Sequence, residues 1–221
     1  MRNDGENTAL AFGNTSGNPA YAVHDIGALY KSGELTTQID AKPPKYWVGS
    51  SRGTLFWLGG DRFHEGNLKL SEEFWRYAAT FFGFRDAVGR TANNVYTNVS
   101  ICAYNGNGTG GGAYVYSSVA VDPTHWYRFV AKTSIRDGES DIAVYDLGTE
   151  HPTFATATPA TPVENFTGIK FRRAPETIKG LSSLCLLAQG TADNTLDKTI
   201  GAFWDNIRIE HQEDAFMIIV R

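Results

Sequence analysis

Gly201–Glu210 reads GAFWDNIRIE. Phe203, Ile207 and Ile209 share one parity, and Trp204, Asn206 and Arg208 share the other. That is the period-2 alternation of a half-buried β-strand. Asp205 and Asn206 interrupt it, and both are poor strand formers. A local reason must hold them there.

Working back from this stretch, the chain is a series of short β patterns. Leu181–Gln189, LSSLCLLAQ, is nearly all apolar and reads as a central strand. His125–Ile135 and Ser140–Leu147 flank Asp137-Gly138, a strong hairpin signal. Val95–Tyr104 and Ala113–Val121 flank the Gly-rich string NGNGTGGG at 105–112, which reads as a hairpin connection. Thr54–Leu58 is apolar on both faces and therefore central, with Tyr46–Val48 a separate short run before it. Leu35, Thr37 and Ile39 mark an early strand ended by Pro43-Pro44, since proline cannot donate to a ladder. Ser71–Thr80 is the one helical candidate: Ser71 fits a cap, Glu72 and Glu73 the first turn, and Phe74, Tyr77 and Ala78 one face. The Thr-, Ala- and Pro-rich stretch 148–162 reads as an extended crossover between sheets. Residues 1–20 read as a loosely held leader. The tail AFMIIV at 215–220 is too apolar to hang free, so it is expected to pair on a sheet or to bury against a second copy of the chain.

About a dozen strands with turns every 8–12 residues describe a β-sandwich. The 221 residues suit a single domain, 1–221, large enough to bury a core without a metal or crosslink. The net charge is −4 and no Lys/Arg run appears, which excludes a nucleic-acid surface. No apolar stretch is long enough to span a membrane. Cys102 and Cys185 lie in strand-like runs, and the sequence leaves two free thiols and a disulfide both open.

Three strings carry a resemblance: Asp205-Asn206-Ile207 in the closing strand, Trp126-Tyr127-Arg128, and Val144-Tyr145-Asp146 after an Asp-Gly turn. Together they resemble the concanavalin A-like (laminin-G-like) jelly rolls. The resemblance implies an all-β sandwich of two antiparallel sheets whose last strand returns beside the first. It also implies an extracellular or periplasmic protein with a polysaccharide or oligosaccharide on its concave sheet. In many such proteins the Asp of the closing strand and nearby backbone carbonyls hold a structural Ca²⁺, and Asp205 matches that Asp.

Sugar rings lay their C–H faces on aromatic rings, and forked donors pair their hydroxyls. Trp57, Arg85, Tyr104, Tyr116, Trp126 and Arg128 fit those roles on strand faces whose opposite parity reads as core. The expected function is carbohydrate binding without cleavage. The alternative is a polysaccharide lyase, which needs a Tyr or His base and a cation to neutralise a uronate. His125 and Tyr127 on one strand face, with Arg85 or Arg172, would supply them. A third reading is an adhesion module using the Met217–Val220 tail.

Other chemistries find no support. The retaining glucanases of this fold carry Glu-x-Asp-x-Glu on one strand, but Glu139-Ser140-Asp141-Ile142-Ala143 lacks the third acid. The Gly-rich string has no following Lys or helix to cradle phosphate. No Gly-x-Ser-x-Gly elbow is present. Five scattered His and two distant Cys make no transition-metal cluster.

Overall fold

The computed structural model describes residues 2–3, 8–12, 20–44, 47–60, 77–87, 95–96, 98–191 and 202–213. In chain order the strands are β1 (Arg2–Asn3), β2 (Thr8–Phe12), β3 (Ala20–Tyr30), β4 (Glu34–Lys42), β5 (Trp47–Gly59), β6 (Ala78–Asp86) and β7 (Val95–Tyr96). They continue as β8 (Val99–Gly106), β9 (Gly112–Tyr116), β10 (Trp126–Ser134), β11 (Glu139–Gly148), β12 (Glu164–Lys170), β13 (Leu181–Thr191) and β14 (Ala202–Gln212). A short helix, α1 (Pro175–Ile178), precedes β13. Sheet I runs β1-β2-β14-β4-β10-β11-β12, and sheet II runs β3-β13-β5-β6-β8-β9 with β7 beside β5. Every pairing is antiparallel. The closing strand β14 lies between β2 and β4, beside the start of the chain as expected.

Alternation builds the core. Leu35 and Ile39 of β4, Phe129 of β10 and Val144 of β11 point inward from sheet I. Phe56, Leu58, Phe82, Phe84, Ile101 and Leu186 meet them from sheet II. Phe129 stacks on Phe82 at 5.6 Å and meets Phe84 edge-on at 5.3 Å. Burying each such ring contributes about 1.5–3 kcal/mol.

The interruption at Asp205-Asn206 is a β-bulge. Asp205 pairs with Asp40 but Arg208 with Gln38, so β14 carries one extra residue. Asn206 takes φ 49°, the left-handed region that Asn tolerates better than most residues. The bulge resets parity. Trp204 is fully buried before it, and Ile207 and Ile209 pack on the same core after it. Strict alternation therefore assigns the faces of this strand wrongly on one side of Asn206.

Other expectations shift in detail. Trp47–Gly59 is one long strand, with Leu55 to Leu58 buried between β13 and β6 as read. Of the helical candidate, Tyr77 is helical, Ala78–Thr80 opens β6, and residues 71–76 lie outside the described residues. The leader contributes β1 and β2 to sheet I. Stretch 148–162 is not a crossover, because β11 and β12 are neighbours in sheet I. It is a strap over that sheet's outer face. The tail at 215–220 lies outside the described residues.

Candidate functional site

The outer face of sheet II is a grid fixed by register. Across β5, β6, β8 and β9, one row reads Trp57, Phe81, Tyr104, Tyr114. The next reads Leu55, Gly83, Cys102, Tyr116. The third, across β5, β6 and β8, reads Gly53, Arg85, Ser100. The first row is an aromatic ladder. Trp57 and Phe81 lie 5.1 Å apart, Phe81 stacks on Tyr104 at 4.2 Å, and Tyr104 meets Tyr114 edge-on at 5.1 Å. In the lower rows Leu55, Gly83, Cys102 and Gly53 form a buried floor beside that wall, and Arg85, Ser100 and Tyr116 are partly exposed. Gly83 has φ 145°, and a Cβ there would meet the Thr54 carbonyl oxygen at 2.3 Å, so only glycine fits.

Arg85 crosses this floor. Its guanidinium sits 4.0 Å over the Tyr114 ring, and its Nη1 reaches the Tyr116 hydroxyl at 3.4 Å. Burial pushes the Cys102 thiol up to about 12, with the Arg85 charge opposing part of that effect. Burial likewise raises Tyr114 well above an ordinary phenol. The open part of the face is Arg85, Ser100, Tyr114 and Tyr116, all partly exposed. Trp57 at 1% and Tyr104 at 9% are buried within the ladder rather than open for stacking.

The structure thus gathers Trp57, Arg85, Tyr104 and Tyr116 on one face, and places Trp126 and Arg128 on the outer face of sheet I beneath the strap. Arg128 is 2% exposed. Its Nε and Nη2 donate to Asp40 Oδ1 and Oδ2 at 2.7 and 2.8 Å. Its Nη1 donates to the Thr156 carbonyl at 2.6 Å and to Thr158 Oγ1 at 3.0 Å. Asn206 Nδ2 donates to Asp40 Oδ2 and to the Pro152 carbonyl, pinning the strap from β14. Trp126 packs against the His151 ring at 4.6 Å. Neither Trp126 nor Arg128 presents a free surface.

The residues of the lyase reading fall apart. Arg85 points outward from sheet II, whereas Tyr127 is in the core at 1% exposure. The Tyr127 hydroxyl accepts the Asp122 N–H at 2.8 Å, and burial pushes the phenol up to about 12. His125 is not on the strand: it closes a turn, its N–H donating to the Asp122 carbonyl. Its Nδ1 lies 2.9 Å from both Asp146 oxygens, and the hydrogen bond to Asp146 raises its pKa. Arg172 takes its backbone N–H to the Ala79 carbonyl, away from His125.

Asp205, which matches the calcium-holding Asp in the resemblance, makes two contacts in the structure. Its Oδ1 accepts the Asn206 N–H at 2.7 Å, stabilising the bulge, and its Oδ2 lies 2.8 Å from His151 Nε2. Among the described residues no group of three or more His, Cys, Asp or Glu gathers, and Ca²⁺ also takes backbone carbonyls.

Sequence reading missed Phe81, Gly83, Ser100 and Tyr114 as parts of this face. Each lies on the outward parity of its strand, so the signal existed. What was lacking was the register that aligns the four strands.

No family model matches the chain, and neither does any curated protein. Among solved structures it resembles an alginate lyase of Pseudomonas aeruginosa, with 12% identity, 83% of this chain and 67% of that chain covered, and a TM-score of 0.44. It also resembles an endo-1,3-beta-glucanase of Streptomyces sioyaensis, with 9% identity, coverage of 84% and 66%, and a TM-score of 0.42. A third is the lectin UEA-II complexed with galactose, with 8% identity, coverage of 89% and 86%, and a TM-score of 0.45. Two antiparallel sheets, with the last described strand β14 set between the early strands β2 and β4, make this chain an all-β sandwich.

Proposed function

We propose that the chain is an exported carbohydrate-binding protein whose saccharide lies on the outer face of sheet II, over Arg85, Ser100, Tyr114 and Tyr116. The observation that carries this reading is the Arg85 guanidinium held at 4.0 Å on the Tyr114 ring beside the Tyr116 hydroxyl. Flat rings accept the C–H face of a sugar, and a forked donor beside them pairs its oxygens.

Binding without cleavage fits the chemistry of the face. A lyase needs a base that accepts a proton near neutral pH, and burial holds both Tyr114 and Tyr127 protonated there. The test is titration with a panel of neutral and acidic polysaccharides, reading intrinsic fluorescence and ultraviolet absorbance together. A fluorescence change without new absorbance supports binding, and Tyr116→Ala should then weaken it by roughly two- to tenfold, the worth of one aromatic contact. Rising absorbance from unsaturated product would replace this reading with a lyase. Silence in both channels would end the carbohydrate reading.

A further inference from the structure

The sheet II face also specifies the class of sugar, provided it binds sugar at all. Among the described residues, no carboxylate pairs with Arg85. Among those residues its one close polar partner is the Tyr116 hydroxyl at 3.4 Å, and its buried Nε has no hydrogen-bond partner there. Asp86, its neighbour in β6, has the opposite parity, that of the core-facing Phe82 and Phe84, and is fully buried. The contrast with Arg128 is internal to the molecule. There the fork closes on Asp40 and two further acceptors under the strap. Here a partly exposed cation rests on a ring, in a protein whose net charge is −4.

A guanidinium left with unmade hydrogen bonds in a partly desolvated site is costly. Stacking on Tyr114 holds its plane but satisfies none of its donors. An oxyanion would satisfy several at once, because the fork matches a carboxylate or a sulfate with two parallel bonds. Arg85, Ser100, Tyr114 and Tyr116 are the partly exposed residues of this face, so a sugar reaching it would bring that anion to the fork. We infer that Arg85 is an anion subsite: the saccharide on this face carries an acidic group, a carboxylate or a sulfate ester, that pairs with Arg85.

The test uses the intact protein and three polymers: a polyuronate, the same polymer with its carboxyls reduced to alcohols, and a sulfated galactan. Binding of the polyuronate, with loss of roughly tenfold or more in affinity on carboxyl reduction, supports the inference. Arg85→Gln should reproduce that loss, and Arg85→Lys, which keeps charge but not the fork, should fall between. Binding of the sulfated galactan alone, equally dependent on Arg85, supports the subsite and assigns the anion to sulfate. The carboxyl-reduction arm does not depend on any variant folding. Equal affinity for the polyuronate and its reduced form, unchanged in Arg85→Gln, would overturn the anion subsite and leave the carbohydrate reading standing. No binding of any polymer, neutral ones included, would overturn both.

Discussion

Two arginines with the same sequence logic have opposite fates. Arg85 and Arg128 both sit on strands, both on parities facing away from the core. Their parity was legible; what lies over each was not, because the strap that covers Arg128 leaves sheet I twenty residues later and returns to its own edge. Arg128 therefore acts in stability. Removing one partner of a buried pair strands the other charge, at a cost of about 3–5 kcal/mol. Arg128→Ala should lower the unfolding free energy from urea melts by that much while the folded protein keeps its affinity for any saccharide bound on sheet II. Loss of affinity without loss of stability would return Arg128 to the binding surface. His125 gives a pH-dependent counterpart. Its hydrogen bond to Asp146 raises its pKa above the ordinary 6.5. A raised histidine stabilises the fold fully below its unfolded pKa, and that contribution fades as pH climbs through the folded value. Thermal midpoints should thus fall from pH 6 to 8 more in the wild type than in His125→Gln. The partners are partly exposed, so salt should shrink the difference.

At the scale of elements, the closing strand shows why local strings can carry a fold while misassigning its faces. Periodicity over Gly201–Glu210 found the strand, and the Asp-Asn pair marked something unusual within it. It could not reveal that the pair is a bulge, since a bulge is defined by two residues facing one on the partner strand. Here the partner is β4, more than 160 residues earlier in the chain. Asn206 serves the bulge twice, by backbone and by side chain. It adopts φ 49°, and its amide joins Asp40 to the Pro152 carbonyl. The two contributions separate by substitution. Asn206→Gly keeps the left-handed backbone and loses both donor bonds, a cost of about 1–3 kcal/mol. Asn206→Val loses the same bonds and adds a β-branched residue at positive φ, a further 1–2 kcal/mol or so. Denaturation of the pair should place valine below glycine. Equal midpoints would mean the bulge relaxes when the side chain is gone.

For the whole molecule, the last two strands complete both sheets. β13 lies between β3 and β5 in sheet II, and β14 between β2 and β4 in sheet I. Neither sheet is continuous until the final third of the chain is in place, so the fold is rich in long-range pairings and should form on the millisecond-to-second scale of β-sandwiches. That architecture also resolves the cysteine alternatives left open by the sequence. Cys102 is in β8 and Cys185 in β13, with β5 and β6 between them. Three strand spacings put them about 14 Å apart, twice the reach of a disulfide. Neither is in a disulfide, and both are buried in the outer-face cluster beside the ladder. Burial pushes Cys102 up to about 12, so almost none of it is the reactive thiolate at neutral pH. Access to either thiol requires the sheet to open, and opening sheet II means unpairing its central strands. With an aromatic disulfide reagent and no reductant, the native protein should release no chromophore at first, and the guanidinium-unfolded protein should titrate two thiols. At low denaturant the labelling rate should track global stability, so Arg128→Ala should label faster by the same free energy that it loses in the urea melt. No titratable thiol after unfolding would establish a disulfide and contradict this strand order. Rapid labelling of the native state would mean that the aromatic face opens independently of the core.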